Sequence, residues 1–326
     1  MTPEFKVIAN GTNITPQIAD RLLGLSVSDA AGIKSDQVEI ELDDRDTLIE
    51  LPAPGALLTV FMGYKETGLA LMGVFTADEV TAKGPPDTVT IRGKAANMGG
   101  SIKGQKTRAW DDKTIGQIVS TIAGEHGLEP KVATAWRDIV YQHLDQTDES
   151  DLNFLIRIAR DHDAMVSVKG GALLFIGRGT GETASGQPMP PLVVRRKGAL
   201  RWSMTLMTRG DFKSVEATWH NPRTGTRETV TEGDGTPARR LRHAYASEDE
   251  ARRAARAKLA EMAREGNTLS VTLIGTPALA AGALIKAVEF RGGVAGLWSL
   301  TSARHEIRAG GFTTAIEAEI PQSETE

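Results

Sequence analysis

Six carboxylates and one histidine crowd into LDQTDESDLNFLIRIARDHDA, residues 144–164: Asp145, Asp148, Glu149, Asp151, Asp161, His162 and Asp163. Two chemistries could use them. Paired carboxylates could do acid/base work, or the Asp-His-Asp run could ligate a metal. Spacing argues against both. On a helix over 148–162 the two acidic groups stand about ten residues, or roughly 15 Å, apart, whereas carboxylates sharing acid/base work sit within about 10 Å of each other. Asp161 and Asp163 point about 200° apart on a helix, so they converge only where the helix has ended. The simpler reading is a helix with selected ends. Thr147 or Asp148 caps it. Asp148, Glu149 and Asp151 meet the positive end of its dipole. Leu152, Leu155, Ile156 and Ala159 form one apolar face, widened by Phe154 and Ile158. Arg157, Arg160 and His162 suit the C-terminal end, and Asp161 and Asp163 mark the stop.

No other constellation supplies a site. His126, His143, His162, His220, His243 and His305 are scattered and form no paired ligand spacing. There is no cysteine, which excludes disulfides and thiolate metal sites. No nucleophile elbow, phosphate-binding loop or dinucleotide fingerprint is present. EGDG (232–235) reads as a turn, not a calcium loop. Basic runs at 195–197, 239–243 and 252–256 invite a nucleic-acid reading. However, Glu248–Arg252 and Asp249–Arg253 are spaced as solvated helical ion pairs. Aromatics, at 5%, do not interleave with the basic residues. Net charge is −4, split into about −8 over 1–190 and about +4 over 191–326. No catalytic, cofactor-binding or metal-ligating residue is assigned, and no cofactor is expected.

The elements around these residues are mostly strands. QVEIEL (37–42), ALLTVFMGY (56–64), GLALMGVFTADEV (68–80) and DTVTIRGKA (87–95) carry strand patterns between Gly/Pro turns. A short helix is expected over 15–23, capped by Thr15 with Pro16 at its first position. Another is expected over 110–127, started by Asp111 or Asp112, carrying Ile115, Ile118, Val119 and Ile122 on one face, and ended by Gly127. A hairpin follows over 164–179, then a Gly/Ser/Pro linker over 178–191. Beyond it β pattern returns, in ALRWSMTL, SVEATWHN, ETVTEG, TLSVTLIG, ALIKAVEF, GLWSLTSARHEIR and FTTAIEAEI. One helix interrupts it over 247–266, with a Ser247/Glu250 capping box, an Ala251–Ala255–Leu259–Met262 stripe and Gly266 as terminator. The tail PQSETE reads as frayed. No secretory signal or membrane-length apolar run is visible, so a soluble chain made in a cytoplasm is expected. The fold class is α+β, mainly β. The domains read as 1–100 (β), 101–185 (α/β) and 186–326 (β with one helix).

The order of segments resembles the phage late control protein D family, the baseplate hub proteins of contractile phage tails and phage-tail-like bacteriocins. That family is related in fold to the hub part of type VI secretion spikes. LSVSDAAGIKSDQVEIELDDRD (25–46), LPAPGALLTVFMGY (51–64), QTDESDLNFLIRIARDHDA and WSLTSARHEIRAGGFTTAIEAE (298–319) carry the resemblance over about 5–322. It implies two tube-like β-barrels with the α/β domain between them. It implies a homotrimer whose six barrels join a sixfold tail tube to a threefold spike. The implied partners are the spike protein, the tube protein or tube initiator, the tape-measure protein and other baseplate proteins. Specific nucleic-acid binding and membrane insertion are not implied. The implied place is the virion tail baseplate or bacteriocin particle, assembled in the host cytoplasm. The family carries no catalytic residues. The competing reading is a tail-associated peptidoglycan hydrolase with Glu149 or Glu125 as acid.

Overall fold

The computed structural model describes residues 1–31, 36–53, 55–95, 100–181, 187, 189–206, 212–264 and 266–321. The fold is mainly β. The first β-rich region holds β1 (Pro3–Ala9), β2 (Thr12–Asn13), β3 (Leu22–Ala30), β4 (Gln37–Asp43), β5 (Leu57–Tyr64), β6 (Gly68–Lys83) and β7 (Thr88–Ala95). Strict alternation makes β4 a half-buried strand. Val38, Ile40 and Leu42 are about 1% exposed, while Gln37, Glu39 and Glu41 face away from the core. The core under this region gathers Val7, Leu25, Val60, Met62, Phe75 and Val89. It also takes Ile307 and Phe312 from the far end of the chain.

The middle unit pairs β8 (Gln105–Thr114) with β10 (Val140–Ser150). A second small sheet joins β9 (Glu129–Val132), β11 (Ala164–Lys169) and β12 (Ala172–Gly177). Helices α2 (Ile115–Glu125) and α4 (Asp151–Arg160) bury their apolar faces between these sheets, with α3 (Thr134–Arg137) as one turn between them; α1 (Thr15–Ile18) is the single turn in the first region. Ile115, Ile118, Val119, Ile122, Phe154 and Leu155 are fully buried there.

The C-terminal region begins with β13 (Leu192–Arg195) and β14 (Ala199–Leu206) and resumes with β18 (Asn267–Ile274), β19 (Leu284–Val288), β20 (Gly296–Arg308) and β21 (Gly311–Glu319). Between β14 and β18 lies an insert: β15 (Ser214–Asn221), β16 (Thr226–Gly233), β17 (Ala238–Tyr245) and α5 (Glu248–Arg264). The insert has its own core of Val215, Ala217, Val230, Ala251 and Ala255. The two β-rich regions share one sheet, because β20 pairs antiparallel with β3 across Ser26↔Glu306 and Leu25↔Ile307. Its order is β14-β18-β21-β20-β3-β4-β7-β6-β5-β1-β2, with β13 and β19 attached beside β20.

Three expected helices have other bounds or caps than the sequence suggests. The helix over 15–23 is a single turn, Thr15–Ile18, and Leu22 already pairs with Leu42. Strand partners on both flanks of β3 outweigh a helix too short to repay its nucleation. Thr15 caps nothing. Its hydroxyl accepts from the Val7 amide at 2.9 Å and holds the β1 turn. Residues 110–114 belong to β8, so Asp111 and Asp112 do not start α2. Thr114 caps it instead, in a reciprocal box with Gln117 at 3.1 and 2.9 Å. Likewise Asp148 and Glu149 lie in β10, not in a first helical turn. Ser150 is the cap of α4, its hydroxyl accepting from the Asn153 amide at 3.2 Å. The hairpin at 164–179, the Gly127 stop of α2 and the Ser247 cap of α5 are as expected. Residues 182–186 and 188 of the linker and residues 322–326 of the tail lie outside the described residues.

Candidate functional site

The acidic stretch divides into two buried ionic centres. At the first, α4 opens with Asp151, which is 0% exposed. Its Oδ1 accepts from Arg108 Nη2 at 2.6 Å and Gln146 Nε2 at 2.9 Å; its Oδ2 meets Lys106 Nζ at 2.6 Å and His126 Nε2 at 2.8 Å. Lys106 and Arg108 each continue to Glu125, at 2.7 and 2.6 Å. Arg108 also lies over the Trp110 ring, which stacks on Phe154. Burial alone would push the Asp151 carboxyl up. Donation from Gln146, Lys106 and His126, with the charge of Arg108, outweighs burial and holds it at about 2. Glu125, His126 and Asp151 are the one group among the described residues close enough to share a metal ion. Two cations already sit 2.6 Å from the same carboxylate, so a further divalent cation would meet strong repulsion. The donor set does not fit a metal. This is a structural clamp that fastens α4 to α2, β8 and β10.

The second centre is the Asp161–His162–Asp163 turn. Its side chains diverge to three separate partners. Asp161 accepts from the Tyr245 hydroxyl of the insert at 3.3 Å. His162 Nε2 meets the Tyr141 hydroxyl at 2.8 Å, and burial together with the charge of Arg253 pushes it down to about 4, so it is neutral. Asp163 is buried against Arg264 at the end of α5, with Arg264 Nη1 donating at 2.7 Å. Helix α4 does end here, at Arg160. The two aspartates run against the dipole because they latch the middle unit to the insert. Their partners stand 84 and 101 residues away.

Burial pushes Asp161 up to about 6, against the Tyr245 bond and the charges of Arg157 and His243; Glu250 reinforces the rise. The folded state therefore keeps a proton that the unfolded chain has already lost. That stabilisation is complete below the ordinary carboxylate range and is lost as pH rises through about 6. Asp161→Asn cannot ionise yet still accepts from Tyr245. Its stability relative to the native chain is expected to rise by roughly 1–3 kcal/mol between pH 5 and pH 8. Urea unfolding of both proteins at the two pH values checks this; a difference that stays flat would contradict it.

A third junction joins three regions. Asp29 of β3 pairs with Lys169 of β11 and accepts from the Ala281 amide at 3.0 Å. Burial and the Asp29 charge push neighbouring Asp36 up to about 7. Elsewhere His305 is satisfied by Thr314 and the Leu279 carbonyl, at 3.0 and 2.9 Å. The basic runs are partly paired within the fold: Arg195 with Glu289, Arg240 with Glu216, and Arg252 and Arg256 with Glu232. Arg253, expected to pair with Asp249, lines the cleft beside Glu250 and makes no ion pair with it.

Set beside known proteins, these features have a family. The family described as phage tail baseplate hub (GPD) matches residues 35–311. The chain is 32% identical to a probable baseplate hub protein of Escherichia phage 186, over 100% of this chain and 95% of that one. The chain belongs to the phage tail baseplate hub family. It is a structural protein of a phage-type tail baseplate. Two solved structures share the hub fold. The prophage MuSo2 43 kDa tail protein from Shewanella oneidensis superposes with a TM-score of 0.74 at 14% identity, covering 98% of this chain and 99% of that one. An E. coli component of the type VI secretion system, described as similar to the bacteriophage T4 tail proteins gp27 and gp5, gives 0.57 at 14% identity, covering 93% and 74%. In this hub the ionic centres position strands and helices. Sequence reading missed Lys106, Arg108 and Gln146, although Lys106, Arg108 and Trp110 alternate along one face of β8.

Proposed function

We propose that three copies of this hub close into a ring that joins a sixfold tail tube to a threefold spike. The chain divides for this purpose into two tube-like barrels, 1–100 and 186–326, with 101–185 between them. One observation carries the reading. The two β-rich regions run into a single sheet whose terminal strands lack outer partners among the described residues. At one end β14 pairs only with β18, with Leu200 and Leu206 exposed on it. At the other, Pro3–Lys6 of β1 pair only with β5. Such edges invite pairing, and joining them head to tail between copies closes a ring instead of leaving them open. Two β-rich regions from each of three chains then offer six comparable edges to a sixfold tube. The spike protein, the tube protein or its initiator, the tape-measure protein and other baseplate proteins are the partners of such an adaptor, assembled in the host cytoplasm. None of the described helices is long and apolar enough to cross a membrane.

The same reading makes the hub non-enzymatic. Neither acid of the competing hydrolase reading is left free for acid/base work. Glu125 is pushed down: Lys106 and Arg108 outweigh burial. Glu149 is held by Arg157 at 2.9 Å. The edge itself is testable. Leu200→Lys with Leu206→Lys is expected to turn the wild-type oligomer into a folded monomer on size exclusion, with an unchanged circular dichroism spectrum. Retention of the wild-type oligomer would remove β14 from the interface.

A further inference from the structure

Between the middle unit and the insert lies a cleft of about 890 Å³, bounded by β10, α4, the end of β17 and the first turns of α5. Its acids are engaged. Asp145 meets His143, Glu149 holds Arg157, Asp161 accepts from Tyr245, and Glu250 accepts from the Ala246 backbone. Two of its arginines are not. Arg253 makes no hydrogen bond or ion pair with any described residue, and its Nε is shut away from solvent with no acceptor. The other arginines of α5 are matched, Arg252 and Arg256 to Glu232 and Arg264 to Asp163. Arg160, exposed on the same cleft, also lacks a partner among the described residues. Arg253 feels the charge of Glu250 one turn earlier on α5 but makes no hydrogen bond to it, and its charge helps to keep His162 neutral. A buried donor without an acceptor is costly to keep and is ordinarily satisfied when a ligand arrives.

We propose that this cleft receives an extended acidic peptide segment of another protein, with its carboxylates bound by Arg253 and Arg160. Carboxylates match the leftover guanidinium donors in geometry and charge. Leu144 and Ile156 line the same cleft and suit apolar side chains between the acids. A polyphosphate carries charge on every unit and would meet Asp145 and Glu149 on the walls. The cleft is at the upper end of small-ligand sizes and lies between two separately cored units. A segment of chain fills such a space better than one small molecule.

The test is fluorescence anisotropy of the purified protein with a labelled hexapeptide alternating Glu and Leu. The wild type is expected to bind it and to ignore the matching Lys-Leu peptide. Arg253→Gln and Arg160→Gln should each weaken binding about tenfold or more, as expected for a lost charge-assisted pair. Arg227→Gln, an exposed change on β16, should not. If Arg253→Gln fails to fold, Arg160→Gln carries the comparison. Absence of binding, wild-type affinity in both cleft variants, or equally tight binding of a thymidine oligonucleotide overturns the proposal. The assay needs only the single chain, so its failure leaves the ring reading standing, and failure of the ring leaves the peptide site standing.

Discussion

Asp151→Ala is expected to destabilise the middle unit by about 3–5 kcal/mol, the usual result of removing one member of a buried ion cluster. The carboxylate touches Lys106, Arg108, Gln146 and His126 together. Its loss leaves two half-buried cations without their shared partner. Lys106 and Arg108 keep some access to water and to Glu125, which places the expectation at the lower end. Asp151→Asn keeps an acceptor but loses the charge, so it should fall between native and alanine. The sign of the pH effect is opposite to that at Asp161. A carboxyl held at about 2 contributes fully above the ordinary range, and that contribution is lost as pH falls toward 2. Urea denaturation of the three proteins at pH 7 checks the order. A native-like midpoint for Asp151→Ala would show that Glu125 alone can hold both cations.

Leu155→Asp should have a larger effect. Leu155 is 0% exposed and belongs to the core that also contains Ile118, Val166 and Phe175. The substitution removes a buried apolar side chain, worth about 2–5 kcal/mol, and adds a charge with no partner. Together these approach the whole stability of a small unit, on the order of 5–15 kcal/mol. Proteases are expected to cut the variant within 101–185 while the shared sheet, built on separate cores, stays protected. Wild-type resistance across that segment would show that α4 can turn another face inward.

What the sequence disclosed follows the range of the interactions. Period-two strands such as Gln37–Asp43 and Gly311–Glu319 were legible because one face alone is buried. Helix α5 was legible through its own cap and stripe. The apolar face of α4 was read correctly, yet its start was placed too early. Asp148 and Glu149 look like cap residues, while the true cap, Ser150, stands one place beyond. The same happened at α2, where Asp111 and Asp112 masked the Thr114–Gln117 box. The pairing of β3 with β20 joins residues about 280 apart, and no local pattern encodes it. The roles of Asp151, Asp161 and Asp163 were hidden for the same reason. Their partners arrive from β8, β17 and α5, and only the assembled fold brings them together.

The ring is tested most directly by the solution mass of the purified protein under multi-angle light scattering, alone and with the spike protein. One chain is 34.9 kDa. The account predicts three times that, about 105 kDa, for the hub alone, or about 105 kDa plus the mass of the bound spike once the spike is added. A mass that stays at one chain in both conditions would contradict it.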